Sequence, residues 1–184
     1  MDAVHLLLIS GSLQRRSANR ALLDVAARHA DGTARVSSYD GIGDIPHFNS
    51  DLDADALPSV AEWRRAIAEA DAVLIASPEY AHSLPGSLKN ALDWLVGSGE
   101  LYEKPVGLMC AGLSGGQRAL DALEQTLRAQ GSDVVARLEV DGVRPKLDEN
   151  GAITDADTIA RTGALVDELI EAARRSRATP PTTN

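Results

Sequence analysis

The sequence predicts an α/β fold, a doubly wound parallel sheet of five strands with helices on both faces. Three observations lead there. The chain carries five short apolar runs rich in Val, Ile and Leu, and unbroken rather than alternating runs are what strands covered on both faces require. Stretches of helical apolar period lie between them, and such alternation calls for right-handed crossovers and a parallel sheet. The length of 184 residues at 44% hydrophobic suits one domain with a full core better than two.

The elements follow in order. HLLLIS (5–10) is the first strand, and 17–30 the first helix, with Leu22, Val25, Ala26 and His29 on one stripe. ARVSSY (34–39) is the second strand, followed by a helix over 60–70 and a third strand, AVLIA (72–76). Leu84, Leu88, Leu92 and Leu95 form the next stripe, with Pro85 in the first turn, where a missing N–H costs nothing. VGLMCA (106–111) leads to a helix through Ala119, Leu120, Leu123 and Leu127 that Gly131 closes. VVARLEV (134–140) is the last strand, and the final helix, 159–173, follows a capping-box-like Thr154-x-x-Asp157. One domain is expected over 1–176, with 177–184 a flexible, Pro-rich tail.

Composition narrows the function. A net charge of -9 argues against nucleic-acid binding, which depends on clustered Lys and Arg. The first apolar run is far shorter than the roughly 18 residues a membrane helix needs, and the residues before it are acidic rather than basic, so neither a membrane span nor a signal peptide is expected. The single cysteine, Cys110, excludes an internal disulfide, and four histidines without Cys-x-x-Cys give no zinc frame. A cytoplasmic protein acting on small molecules is the expectation.

In a doubly wound sheet the ligand sits beyond the carboxyl ends of the strands, where strand order reverses. Three loops therefore matter: GSLQRRSANR (11–20), SPEYAHSLPG (77–86) and AGLSGGQR (111–118). The first has one glycine where a dinucleotide fingerprint needs three, and it lacks the Lys-Ser/Thr end of a P-loop. What remains is a monophosphate held by hydroxyls and amides at a helix N-terminus, or Ser12, Ser17 and Asn19 acting only as helix caps. In the second loop Pro78 fixes the exit from the strand and withholds a donor, so that the amides from Glu79 to Ala81 can address a ligand edge. In the third, Gly115 and Gly116 allow a flat ligand to approach the backbone.

Other signals are weaker. Asp51, Asp53, Asp55 and Glu62 imitate a calcium loop, but Ala56 stands where glycine is needed and Pro58 breaks the next turn. A solvated acidic loop is the plainer reading. Ser10, Ser12 and Cys110 have no histidine in a partner loop and no Gly-x-Ser-x-Gly elbow, which speaks against a hydrolase.

Taken together, GSLQRRSAN, SPEYAHSLPGSLKNALDWL and the Ser-Gly-Gly loop resemble the NADPH-dependent FMN reductase family of flavodoxin-like flavoproteins, which includes quinone, chromate and azo-dye reductases. The resemblance covers nearly the whole chain, and Pro-Glu-Tyr with the helix that follows is its most specific part. It implies a flavodoxin-like three-layer sandwich with strand order 2-1-3-4-5, non-covalent FMN, NAD(P)H as co-substrate, and a homodimer or homotetramer. Ser12, Ser17 and Asn19 would surround the phosphate. Pro78, Glu79, Tyr80 and Ala81 would lie along the isoalloxazine ring, with Ser114, Gly115 and Gly116 on its other side. Gln14 stands where the family usually has Arg, so Arg15 or Arg16 would have to neutralise the phosphate. Ala81 replaces a usual Asn, and His82 a common Tyr. Tyr102 and Trp94 are candidate interface aromatics, although Trp94 reads equally as core. Two functions remain: an oxidoreductase passing hydride from NAD(P)H through FMN to a quinone, free flavin or similar acceptor by a ping-pong route, or an FMN-binding electron carrier. Aromatics are only 3% of the chain, whereas carriers commonly cover their flavin with rings, which favours the enzyme.

Overall fold

Each apolar run forms a strand and each stripe a helix. In chain order they are β1 (Val4–Ser10), α1 (Ala18–Ala30), β2 (Ala34–Tyr39), α2 (Pro58–Glu69), β3 (Ala72–Ala76), α3 (Gly86–Asp93), β4 (Pro105–Ala111), α4 (Gln117–Arg128), β5 (Asp133–Val140) and α5 (Ala156–Ala178). The computed structural model describes residues 3–113 and 115–178. All strand pairs are parallel and the sheet order is β2-β1-β3-β4-β5. The chain winds outward from β1 to β2, then returns to the other side of β1 with β3. The order thus reverses between β1 and β3, and a crevice opens beyond their carboxyl ends.

Two apolar layers enclose the sheet. Leu6, Leu8, Leu74 and Met109 meet α1 and α5 on one face, while Leu7, Ile9, Ile75 and Leu108 meet α2, α3 and α4 on the other. β1, β3 and β4 are buried at every residue, which is why their runs do not alternate. Several polar groups inside are paired. Trp63 Nε1 donates to Ala91 O at 2.8 Å and Trp94 Nε1 to Pro46 O at 2.8 Å. The ring nitrogens of His5 lie 2.9 Å from Glu69 O and 2.7 Å from Ser37 Oγ. Trp94 is 4% exposed, with Phe48 packed edge-on against it at 5.1 Å. It belongs to the core, and of the two candidate interface aromatics only Tyr102 lies at the surface.

Several helix boundaries differ from the sequence reading for identifiable reasons. α3 begins at Gly86, and Pro85, with ψ 143, is the extended residue before it rather than part of its first turn. α5 is capped by Asp155, not by the Thr154–Asp157 pair. Asp155 Oδ2 accepts from Thr158 N at 2.9 Å and from Thr158 Oγ1 at 2.7 Å. These bonds, helped by Lys146 and Arg161, hold its carboxyl below the usual value. α5 also runs to Ala178, and Arg177 Nε donates to Asp71 Oδ1 at 2.7 Å. In the acidic segment, Asp53 caps a short 3-10 turn (Ala54–Ala56) and Asp55 pairs with Arg64.

Candidate active site

The three loops at the switch point are fastened to the sheet by bonds that extend its ladder. Gly11 N donates to Ala76 O at 2.8 Å, Ser77 N to Met109 O at 2.8 Å, and Gly112 N to Val140 O at 3.0 Å. They enclose a cavity of about 520 Å3 whose walls come from Ser12, Gln14 and Ser17 on one side, Pro78 to Tyr80 on another, and 111–113 with Gly116 on the third. The predicted crevice is therefore present, and Ser12, Ser17, Asn19, Pro78, Glu79, Tyr80 and Gly116 converge on it. Arg15, Arg16, Ala81 and Gly115 are not among the lining residues, and Ser114 lies outside the described residues.

The polar end lies at the start of α1. Ser17 is the N-cap by backbone geometry, but its side chain makes no capping bond. The hydroxyl and the first-turn N–H groups are thus not consumed by each other, which is the state of an anion-binding helix end rather than of a closed cap. Ser12 Oγ accepts from Gln14 N at 3.2 Å and keeps its own proton for a ligand. Asn19 also fastens the loop. Its Oδ1 accepts from Ala111 N at 2.8 Å and its Nδ2 donates to Ala111 O at 3.1 Å, so this 2%-exposed amide bolts the first loop to the end of β4.

The second loop is a type I′ turn. Tyr80 N donates to Ser83 O and Ser83 N to Tyr80 O, both at 3.0 Å, and the two central residues, Ala81 and His82, have φ of 49 and 63. Such turns favour Asn-Gly because both centres are left-handed, which gives a physical reason for an Asn in place of Ala81. The amide of Tyr80 is consequently taken by the turn. Glu79 is also occupied: Oε2 accepts from Ala119 N at 3.3 Å and Oε1 meets His82 Nδ1 at 3.2 Å. Ala119 belongs to the first turn of α4, where the helix dipole favours a carboxylate. Glu79 thus ties this loop to the third one.

Below the third loop lies Cys110. Gly116 has φ +78, and a Cβ there would come within 2.0 Å of Cys110 Sγ, so the backbone rests directly on the sulfur. Burial first, then the charges of Glu79 and Glu139, push the Cys110 thiol up to about 12, while the Glu79 backbone N–H bonds the sulfur and lowers it. A neutral, enclosed thiol is a packing group and not a nucleophile. Sequence reasoning missed this contact, and within the loop 111–118 it did not single out Ala111 and Leu113, which line the wall. Leu113 is 72% exposed, and an exposed leucine among glycines was the available signal.

Comparisons with known proteins identify the family. The family model described as NADPH-dependent FMN reductase matches residues 4–141. The chain is 33% identical over 168 residues to the NAD(P)H:quinone oxidoreductase of Solanum tuberosum, covering 86% of this chain and 87% of that one. It is 31% identical over 174 residues to the quinone reductase of Escherichia coli K12, covering 89% and 93% respectively. Among solved structures, the flavoenzyme NAD(P)H:(acceptor) oxidoreductase FerB of Paracoccus denitrificans superimposes with a TM-score of 0.81 at 29% identity, over 94% of this chain and 98% of that one. Fold and relatives coincide, and the chain belongs to the NADPH-dependent FMN reductase family.

Proposed function

We propose that the protein takes hydride equivalents from NAD(P)H into FMN held in the switch-point cavity and passes them, in a ping-pong sequence, to quinones, free flavin or similar flat acceptors. An NAD(P)H-dependent flavin oxidoreductase is what family membership establishes; the acceptors and the order of events are the proposal. The flavin supplies the redox chemistry, and the residues present fit it. At the polar end, Ser12, Ser17 and the open first turn of α1 suit a phosphate. Gly112 borders the cavity with no side chain, and a Cβ built there meets no protein atom within 4 Å, so a ring can lie against bare backbone. Pro78 and Tyr80 form the opposing wall.

The observation that carries this reading is the cavity's two-ended chemistry, uncapped helix N-terminus at one end and glycine-flattened backbone at the other. The protein's work is orientation: Asn19 and Glu79 hold the three loops in register. Tyr80, 48% exposed, and Leu113 leave the mouth open and apolar, which admits flat neutral acceptors without selecting among them. The same exposed apolar groups suit association into a homodimer or homotetramer around the site. Steady-state assays of the FMN-loaded protein test the proposal. NADPH oxidation should require added quinone and give parallel double-reciprocal lines; intersecting lines, or no turnover with quinone or free flavin, overturn it.

A further inference from the structure

A second depression, of about 240 Å3, adjoins the cofactor cavity across the start of α1, and the two share Ser17 and Ala18 as a common wall. Its floor and sides carry Arg15, Arg16 and Arg20, with Leu147 and Asn150 opposite and Asp24 as the only carboxylate among its lining residues. Arg15 and Arg16 form no ion pair or side-chain hydrogen bond with any described residue. Arg20 spends Nη1 on Asp40 at 2.7 Å, and its Nε is buried with no partner. In a chain of net charge -9, two guanidinium groups without an ion-pair partner among the described residues, beside a third whose Nε is unpartnered, form a local positive site suited to an anion.

Their position decides which ligand. Arg15 and Arg16 are not among the residues lining the cavity in which Ser12 and Ser17 stand. They lie one step outside it, across the shared Ser17–Ala18 wall, within reach of a group that extends from a ligand seated in the cavity. We propose that this cleft binds the 2′-phosphate of NADPH and gives the enzyme its preference for NADPH over NADH, resting on the reading that the hydride donor enters the switch-point cavity. A phosphomonoester carries close to two charges at neutral pH, and guanidinium forks meet its oxygens in pairs. Leu147 offers an apolar wall to the adjoining nucleoside, and Asn150 an amide. The Asn150 loop is held in place because Asp148 Oδ1 accepts from Asn150 N and Ala152 N, both at 2.9 Å.

The test is calorimetric titration of the FMN-loaded protein with adenosine 2′,5′-bisphosphate and with 5′-AMP, repeated on the double variant Arg15→Ala/Arg16→Ala. The wild type should bind the bisphosphate at least about 10-fold more tightly, and the variant should lose that difference, since charge-assisted phosphate contacts of this kind carry about that much. In turnover, kcat/KM for NADPH should fall by about 10- to 100-fold, and that for NADH far less. Equal affinity of the wild type for the two nucleotides, or an equal fall for NADPH and NADH, overturns the assignment. Loss of FMN from the variant does so too, because it would move the arginines to the cofactor's phosphate. A wild type that takes up no FMN refutes the cofactor reading instead, while the bisphosphate titration still reports on the cleft.

Discussion

At Gly116 a left-handed φ and a Cβ position 2.0 Å from Cys110 Sγ leave no room for any side chain. Gly116→Ala must therefore shift the loop or the strand beneath it, and we expect a loss of about 1–3 kcal/mol in stability together with weaker FMN binding. Thermal unfolding and a flavin titration check this. The same contact makes a prediction for Cys110. With its thiol at about 12 against an ordinary 9.0, the folded protein keeps the sulfur protonated at pH 8, so iodoacetamide should label it only when the protein is unfolded. Rapid labelling of the native protein would show that the sulfur is neither buried nor neutral. Asn19 and Glu79 show the limit of reading a site residue from its type alone. Both line the cavity, and their polar atoms also bond Ala111 and Ala119. Nothing in the local sequence reveals such partners, because they lie on other elements, at the end of β4 and in the first turn of α4.

At the scale of elements, the five strands were legible to within one residue at either end, since unbroken apolar runs leave little freedom. Helix ends were less so. Their caps depend on which polar side chain reaches an N–H, and at α5 Asp155 wins over its neighbour Thr154. The placement of Arg15 and Arg16 was also illegible: adjacent residues in a loop can face either side of the helix that follows, and only the fold decides. The turn at 80–83 is the element whose sequence fits its shape least. Ala81 adopts φ 49, for which an L-residue without a local polar side chain incurs roughly 1–2 kcal/mol. Ala81→Asn should recover up to about 1 kcal/mol of that and raise the unfolding temperature. An unchanged or lower value would mean that the turn is held elsewhere.

For the whole molecule, charge separates the two halves of the cycle. Between about 0.1 and 1 M ionic strength the Debye length falls from about 10 to 3 Å, so a bound nucleotide feels its neighbours, Arg15, Arg16 and Arg20, rather than the distant acidic surface. We expect kcat/KM for NADPH to fall over this range while that for a neutral quinone holds nearly constant. Greater salt sensitivity in the quinone term would contradict the placement of cationic groups along the nucleotide path alone. The account as a whole rests on FMN in the switch-point cavity receiving reducing equivalents before any acceptor arrives. The most direct measurement is an anaerobic absorption titration of the FMN-loaded protein, first with NADPH and then with benzoquinone. The account predicts that one equivalent of NADPH bleaches the flavin band with no acceptor present and that one equivalent of quinone restores it. A band that persists until NADPH and quinone are present together would contradict it.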